Sequence, residues 1–316
     1  MRVAYLILAH DQPHLLDLLT TTLDPRRRDI FIHIDAKSDL RRFRIGSVPT
    51  AHVVTSECKV YWGHVSMLRA CLSLLRAARR AHAYDYFVLL SGADFPTRSL
   101  DEFERFLEAA DGRTFQPVRP ALASFEGRKR LRSYYMLNTR TRVGVLAQKF
   151  LFLQSFLGAW GGRRPPRRFA RYFLGSMWFT LHRDMADWLL RCWQDEEVRD
   201  YFQTVFCPEE MFIPTAVSNS PWPERHEDRS VRYIRWTGGA NPKTLDLSDL
   251  DGIRRSGAFF ARKMSLERSI PLLDLLAREV HGLDASTILP AAPAPHLKPK
   301  GLRPEMSSRA MEAVGR

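Results

Sequence analysis

The chain has 316 residues, 45% of them hydrophobic, enough for one large domain or two small ones with a real core. Its formal net charge of +13 favours an anionic partner: nucleic acid, an acidic membrane surface or a phosphorylated ligand. No apolar run approaches the roughly twenty residues of a membrane span, and the four cysteines (Cys58, Cys71, Cys192, Cys207) show neither metal-like spacing nor a secreted disulfide framework. A reducing cytoplasm is the expected home. The positive excess is largely arginine, clustered at Arg26–Arg28 and in the loop Arg163–Arg168. No nucleic-acid module accompanies it, so arginine on solvated faces is the competing reading.

Met1–Ala9 runs apolar and reads as a first strand, not a signal peptide. His10-Asp11 follows at its end. Pro13 suits the first turn of a helix carrying Leu15, Leu16, Leu18, Leu19 and Leu23. Asp29–Ile34 is a second strand, ending at Asp35-Ala36-Lys37-Ser38, and His52–Val54 a short third. Val65–Arg80 is a helix with an apolar stripe at Leu68, Leu72, Leu75 and Ala78 and arginines at its C-terminal end. Tyr86–Leu90 then reads as a strand buried on both faces, breaking into Ser91-Gly92-Ala93-Asp94 before Phe95-Pro96. Asp101–Ala110 is a helix with Ser99 as a candidate N-cap. This βαβ alternation implies a largely parallel, nucleotide-binding type of sheet. Neither a G-x-G-x-x-G after the first strand nor a phosphate-loop motif is present, which removes most support for a dinucleotide or P-loop site.

The middle is less regular. Phe125–Asn138 is basic and aromatic, Val143–Leu157 is apolar enough for a helix, and Gly158–Arg171 is a Gly/Pro/Arg loop. Tyr172–Leu181 reads as a strand interrupted at Gly175-Ser176, with a helix from Arg183 to Trp193. Pro208 opens a helix from Glu209 to Ser218. Val231–Trp236 is a strand and Ser256–Met264 a short compact element. From Leu283 the composition turns to Pro and Ala, as in a disordered tail.

Several residues could carry chemistry. Strand ends are where open α/β sheets bind ligands, so Asp94 is a candidate, with a turn or cap aspartate as the alternative. Glu209 and Glu210 sit at a helix N-terminus, where the dipole favours an ionised carboxylate and hence a general base; ordinary helix-start stabilisation is the other reading. Lys243, Arg262 and Lys263 adjoin the apolar anchor Phe259-Phe260-Ala261, and fixed cations are what a diphosphate needs; plain surface charge is the alternative. Trp62, Trp178 and Trp236 lie beside strand ends, where their faces could stack on a base or sugar or simply pack.

The order Tyr5–His10, Ile32–Ser38, Trp62-Gly63-His64, Leu89–Pro96, Gly175–Phe179, Pro208-Glu209-Glu210, Trp236 and Phe260–Lys263 resembles the core-2/I-branching β-1,6-N-acetylglucosaminyltransferases, glycosyltransferase family 14, which includes the peptide O-xylosyltransferases. The resemblance spans about residues 3–265. It implies an α/β GT-A type domain over 1–282, with a nucleotide-binding half (1–115), an acceptor-side catalytic half (116–282) and a tail from 283. It implies a UDP-sugar donor, a glycan acceptor, inversion, and no metal or other cofactor. Carried over by position, Glu210 is the base and Glu209 its acidic neighbour on the acceptor side. His10, Asp35 (for the uridine), Ser91, Gly92, Asp94, Arg262 and Lys263 line the donor site. Lys243 is the nearest candidate for a second diphosphate cation, and Trp236 meets the acceptor. The segment Phe125–Tyr135 matches poorly; Arg132, with Arg128 and Arg130, could meet an acidic acceptor. The missing anchor and disulfides make the chain resemble bacterial members.

Chemistry agrees. UDP leaves as an anion that must be neutralised, and the one D-x-D, Asp249-Leu250-Asp251, lies in a polar stretch far from a nucleotide-sheet strand end, leaving Lys and Arg as the available charge. The transition state has oxocarbenium character. A single base is enough, because departing UDP needs no proton. UDP-GlcNAc is the first expected donor and UDP-xylose the second. A non-catalytic polyanion binder and a transferase-like protein without turnover are the competing classes. The Arg163–Arg168 loop could touch anionic lipid at the inner face of a membrane.

Overall fold

A computed structural model describes residues 1–43, 51–53, 59–135, 164–238 and 241–290, together with Leu146 and Phe150. The first strands follow the sequence pattern closely. β1 (Val3–Ala9), β2 (Asp29–Ile34), β3 (Ala51–Val53) and β4 (Tyr86–Ser91) lie parallel in the order β4-β1-β2-β3. Between them run α1 (Pro13–Leu23) and α2 (Val65–Ala81). β1 is buried throughout because it is covered on both faces. Ala4, Leu6 and Leu8 join the cluster around α2, whereas Val3, Tyr5, Ile7 and Ala9 join the cluster around α1. The stripe Leu68, Leu72, Leu75 and Ala78 is wholly buried, each leucine contributing about 1.5–3 kcal/mol of transfer free energy. His64 caps α2 by accepting from the Ser66 amide, and Arg79 at the other end pairs with Asp187 at 2.6 Å.

Beyond β4 the chain turns through β5 (Asp94–Pro96) into α3 (Leu100–Ala109). Ser99 occupies the N-cap position of α3 but makes no capping hydrogen bond there. β6 (Thr114–Phe115), β7 (Val118–Pro120) and α4 (Phe125–Arg132) follow. The expected single strand over Tyr172–Leu181 is two strands in different sheets. β8 (Phe173–Gly175) pairs with β7, while β9 (Thr180–His182) pairs antiparallel with β4 and β6. Gly175-Ser176 marks the change of sheet: a Cβ at Gly175 would lie 2.1 Å from the Pro117 carbonyl. The helices α5 (Arg183–Gln194), α6 (Glu196–Phe202) and α7 (Glu209–Ser218) come next, and β10 (His226–Glu227) completes a seven-stranded sheet, β10-β6-β9-β4-β1-β2-β3.

A second, three-stranded sheet crosses between the halves of the chain. β11 (Arg232–Ile234) is parallel to β12 (Phe260–Arg262), which is antiparallel to β5, with α8 (Leu250–Ser256) between β11 and β12. β11 is shorter than the run Val231–Trp236 suggests. α9 (Ile270–His281), which the sequence reading leaves unassigned, covers this sheet through Leu272, Leu273, Leu276 and Ala277. The folded body also runs past residue 282, where a tail was expected: Ala285 and Leu289 are buried in the same cluster. The expected helix Val143–Leu157 lies almost wholly outside the described residues, as does Gly158–Arg163.

Candidate active site

The parallel strands β1, β2 and β4 end at one edge, and the candidate donor residues gather there. Asp35 follows β2 directly. Its amide donates to the Ala9 carbonyl at 2.9 Å, and its carboxylate accepts from the amides of Lys37 (2.9 Å) and Val60 (3.2 Å). The Lys37 ammonium is 3.3 Å from the same carboxylate and 4.7 Å from the centre of the Tyr61 ring. The carboxylate of Asp35 therefore fixes the turn after β2 and the start of the Val60–Gly63 segment. His10 is exposed; its carbonyl accepts from the Ser38 hydroxyl at 2.6 Å.

At the end of β4, the Gly92 amide donates to the Leu8 carbonyl at 2.9 Å, and a Cβ there would lie 3.3 Å from Ala9 Cβ. The chain thus lies tightly against β1, and Ser91 and Asp94 are turned inward. Asp94 is fully buried. Its carboxylate accepts from the Ser91 amide (2.9 Å), from Arg232 (3.2 Å) and from Arg262 (3.2 Å). Arg232 also donates to the Leu89 carbonyl at 2.7 Å; Arg262 also bonds the Ser91 hydroxyl and lies 4.3 Å from the centre of the Trp178 ring. One carboxylate between two guanidinium groups leaves a net positive centre. Burial pushes the Arg232 pKa down and Asp94 opposes the shift. Sequence reasoning passed over Arg232. Its signal was a charged residue inside a short strand, which when buried demands an acidic partner.

Lys263 follows Arg262, and its backbone is held on both sides. Its carbonyl accepts from the Leu245 amide at 2.8 Å, and the next amide, of Met264, donates to the Ala93 carbonyl at 2.9 Å. Among the described residues no carboxylate pairs with the Lys263 ammonium. Lys243, expected beside it as a second diphosphate cation, is engaged elsewhere. It lies 2.7 Å from Asp249, a fully buried carboxylate that also takes Arg235 at 2.6 Å. The cation adjacent to Lys263 is Arg262, and Asp249 of the D-x-D is occupied by these partners.

Glu209 and Glu210 open α7, as the sequence indicates. The Glu210 side chain is 42% exposed and accepts from Arg130 at 3.0 Å; Arg130 is buried and also paired with Glu126. Arg130, and not Arg132, is thus the arginine of this segment that meets the site. Two residues apart on α4, the two point about 200° apart, and Arg132 is exposed. Glu209 is only 5% exposed, and one of its carboxylate oxygens has no hydrogen-bond partner. Burial first, and the charge of Glu210 second, push its carboxyl up to about 8, so it holds a proton at neutral pH. Cys207, just ahead, has φ 47° although it is not glycine, an unfavourable conformation that directs the chain into α7.

A short turn joins the two groups of residues. Val60 donates to Asp35, and three residues on the Gly63 carbonyl accepts from the Cys207 amide at 3.0 Å. Residues 60–63 thus tie the turn held by Asp35 to the start of α7. Gly63, at φ 73°, packs on Phe206, whose ring also meets Trp62 and Tyr135. Trp236, expected on the acceptor side, is 60% exposed after β11 and makes no ring contact with the residues above.

The mostly parallel α/β sheet, flanked by helices and carrying its polar side chains at one edge, is a GT-A-like arrangement. Residues 3–254 match the family model described as Core-2/I-Branching enzyme, and the chain belongs to that family. Curated relatives include Xylosyltransferase 2 of Homo sapiens, 24% identical over 312 residues, with 89% of this chain and 34% of that protein covered. Xylosyltransferase 1 of Rattus norvegicus is 23% identical over 290 residues, with 83% of this chain and 33% of that protein covered. The chain thus spans about a third of the length of these relatives.

Proposed function

We propose that the protein is an inverting glycosyltransferase that moves a sugar from a UDP-sugar to a glycan hydroxyl in one displacement, without a metal. The observation that carries this reading is the positive centre at the end of β4. Arg262 is oriented there by Asp94, Ser91 and Trp178, and Lys263 follows it in the chain. Charge held in place before the reaction stabilises the departing diphosphate without reorganisation. Asp94 stands in the loop that lines the donor site by resemblance, and its carboxylate faces two guanidinium groups, which disfavours a divalent cation and supports the metal-free reading.

The remaining roles follow. Glu210, partly exposed and oriented by Arg130, takes the proton of the acceptor hydroxyl as the new bond forms. Protonated Glu209 keeps a second negative charge away from it. Asp35 and His10 border the uridine end, with Ser91 and Gly92 as the floor of the donor site. The sugar is GlcNAc or xylose; the names of the relatives favour xylose, and the family description favours a branching-enzyme sugar. Peripheral contact with anionic lipid through Arg164, Arg167 and Arg168 belongs to the same proposal, although Arg168 already pairs with Asp195.

The test is UDP release from UDP-xylose and UDP-GlcNAc, with a glycan acceptor mixture and excess EDTA, alongside thermal denaturation with UDP. Stabilisation by UDP and turnover of one donor in EDTA are expected; a ligand at 100 times its Kd stabilises by about 2.7 kcal/mol. Turnover that appears only with Mn²⁺ rejects the metal-free assignment, and no stabilisation by UDP or either donor rejects the donor class.

A further inference from the structure

A cavity of about 420 Å³ opens between α3, the segment leading into β11 and the turn ahead of β12. It is separate from the positive centre at the end of β4. None of Asp94, Arg232, Arg262 and Lys263 lines it; its wall includes Val231, next to Arg232, and Ala258, four residues before Arg262. Three arginines line it, Arg98, Arg105 and Arg229, against one acid, Glu102.

The arginines differ in what already holds them. Arg98 is matched: its Nε is 3.2 Å from Glu102, its Nη1 donates to the Gly257 carbonyl at 2.9 Å, and its guanidinium lies over the Phe259 ring. Arg229 lies 5.3 and 5.0 Å from the ring centres of Phe106 and Phe115. Its nearest carboxylate, Glu227 at 3.9 Å, is shared with Arg113. Arg105 is exposed, with no partner among the described residues. Ser230 accepts from the Arg232 amide at 3.0 Å, leaving its own hydroxyl hydrogen to donate into the cavity. One unpartnered guanidinium, a second held by two ring faces and a carboxylate it shares at 3.9 Å, and a hydroxyl donor, on a wall stiffened by Arg98, match the tetrahedral oxygens of a phosphate or sulfate. The volume falls in the range of small-molecule sites.

We propose that this cavity binds an oxyanion, a phosphate or sulfate group borne by a ligand, independently of the donor site and of the transferase reading. Calorimetric titration of the full chain with inorganic phosphate tests it. Wild type is compared with Lys263→Ala, which removes the donor-site cation, and with the double variant Arg105→Glu/Arg229→Glu. Binding that survives in Lys263→Ala and weakens at least about tenfold in the double variant is the expected result. If the charge reversals lower the melting temperature, Arg105→Ala/Arg229→Ala replaces them. Co-sedimentation with phosphatidylglycerol vesicles, competed by phosphate and lost in the double variant, identifies a lipid headgroup as the source of the anion. Phosphate binding without co-sedimentation identifies a soluble ligand. Absent phosphate binding, or equal affinity in wild type and double variant, overturns the proposal.

Discussion

At the scale of single residues, the two glutamates that open α7 divide their work by burial. Glu210 is half-exposed and held by Arg130, so its carboxylate is both oriented and reachable; Glu209 is enclosed and protonated. Glu210→Gln keeps the shape and removes the proposed base, so transfer should fall by about 10²–10⁴ while UDP affinity stays within twofold, measured as kcat and by calorimetry. Near wild-type turnover in that variant excludes Glu210 as the base. Glu209 makes a stability prediction. Its carboxyl is raised in the native state from an ordinary 4.5 to about 8. Below pH 4.5 both states are protonated and burial carries no ionic penalty. Between 4.5 and 8 the unfolded chain has lost a proton that the native state retains, so stability falls by about 1.4 kcal/mol per pH unit through this one group. Above 8 the penalty is constant. Glu209→Gln should therefore melt higher than wild type at pH 8.5 and about equally at pH 4.5; parallel pH profiles for the two proteins would refute the burial argument. That two glutamates open a helix was legible in the sequence. Which one is buried was not, because helical position alone does not say what packs over each side chain.

At the scale of elements, β8 and α7 depend on a close approach. Gly175 lies where any Cβ would come within 2.1 Å of the Pro117 carbonyl and 3.0 Å of Pro214 in the helix that carries Glu210. Gly175→Ala should therefore destabilise by about 1–3 kcal/mol, read from urea denaturation, and lower turnover by shifting α7. Unchanged stability means that β7 and β8 can part at no cost. The sequence marked this glycine as an interruption in one strand, but the local pattern could not show that the chain changes sheets there. The elements left unassigned are instructive as well. α9 carried its signal in the apolar spacing Leu272, Leu273, Leu276 and Ala277, yet the Pro- and Ala-rich composition that follows masked it. β1, β2 and α2 were legible because burial on one or both faces imposes a period that neighbouring residues report directly.

At the scale of the whole molecule, Asp94 joins the halves of the chain. It arises from the first half, and its partners Arg232 and Arg262 arise from the second, more than 130 residues later. Asp94→Ala leaves two arginines without their acid, one of them buried, and should cost about 3–5 kcal/mol in urea denaturation, far more than removing an exposed acid such as Asp11. A loss under about 1 kcal/mol means that the guanidinium groups find other partners, and that the pairing does not hold the halves together. The sequence by itself determined the parallel sheet, the edge at which its strands end, the start of α7 and the order of the family motifs, since each rests on local periodicity or on adjacent residues. Only the tertiary structure decided that Asp94 is enclosed by arginines, that Arg130 and not Arg132 meets Glu210, and that Lys243 is taken by Asp249 while Arg262 is held by Asp94. Coulombic pairing acts through space between side chains far apart in the chain, and which charges meet is fixed only when the second sheet brings the two halves to the same edge.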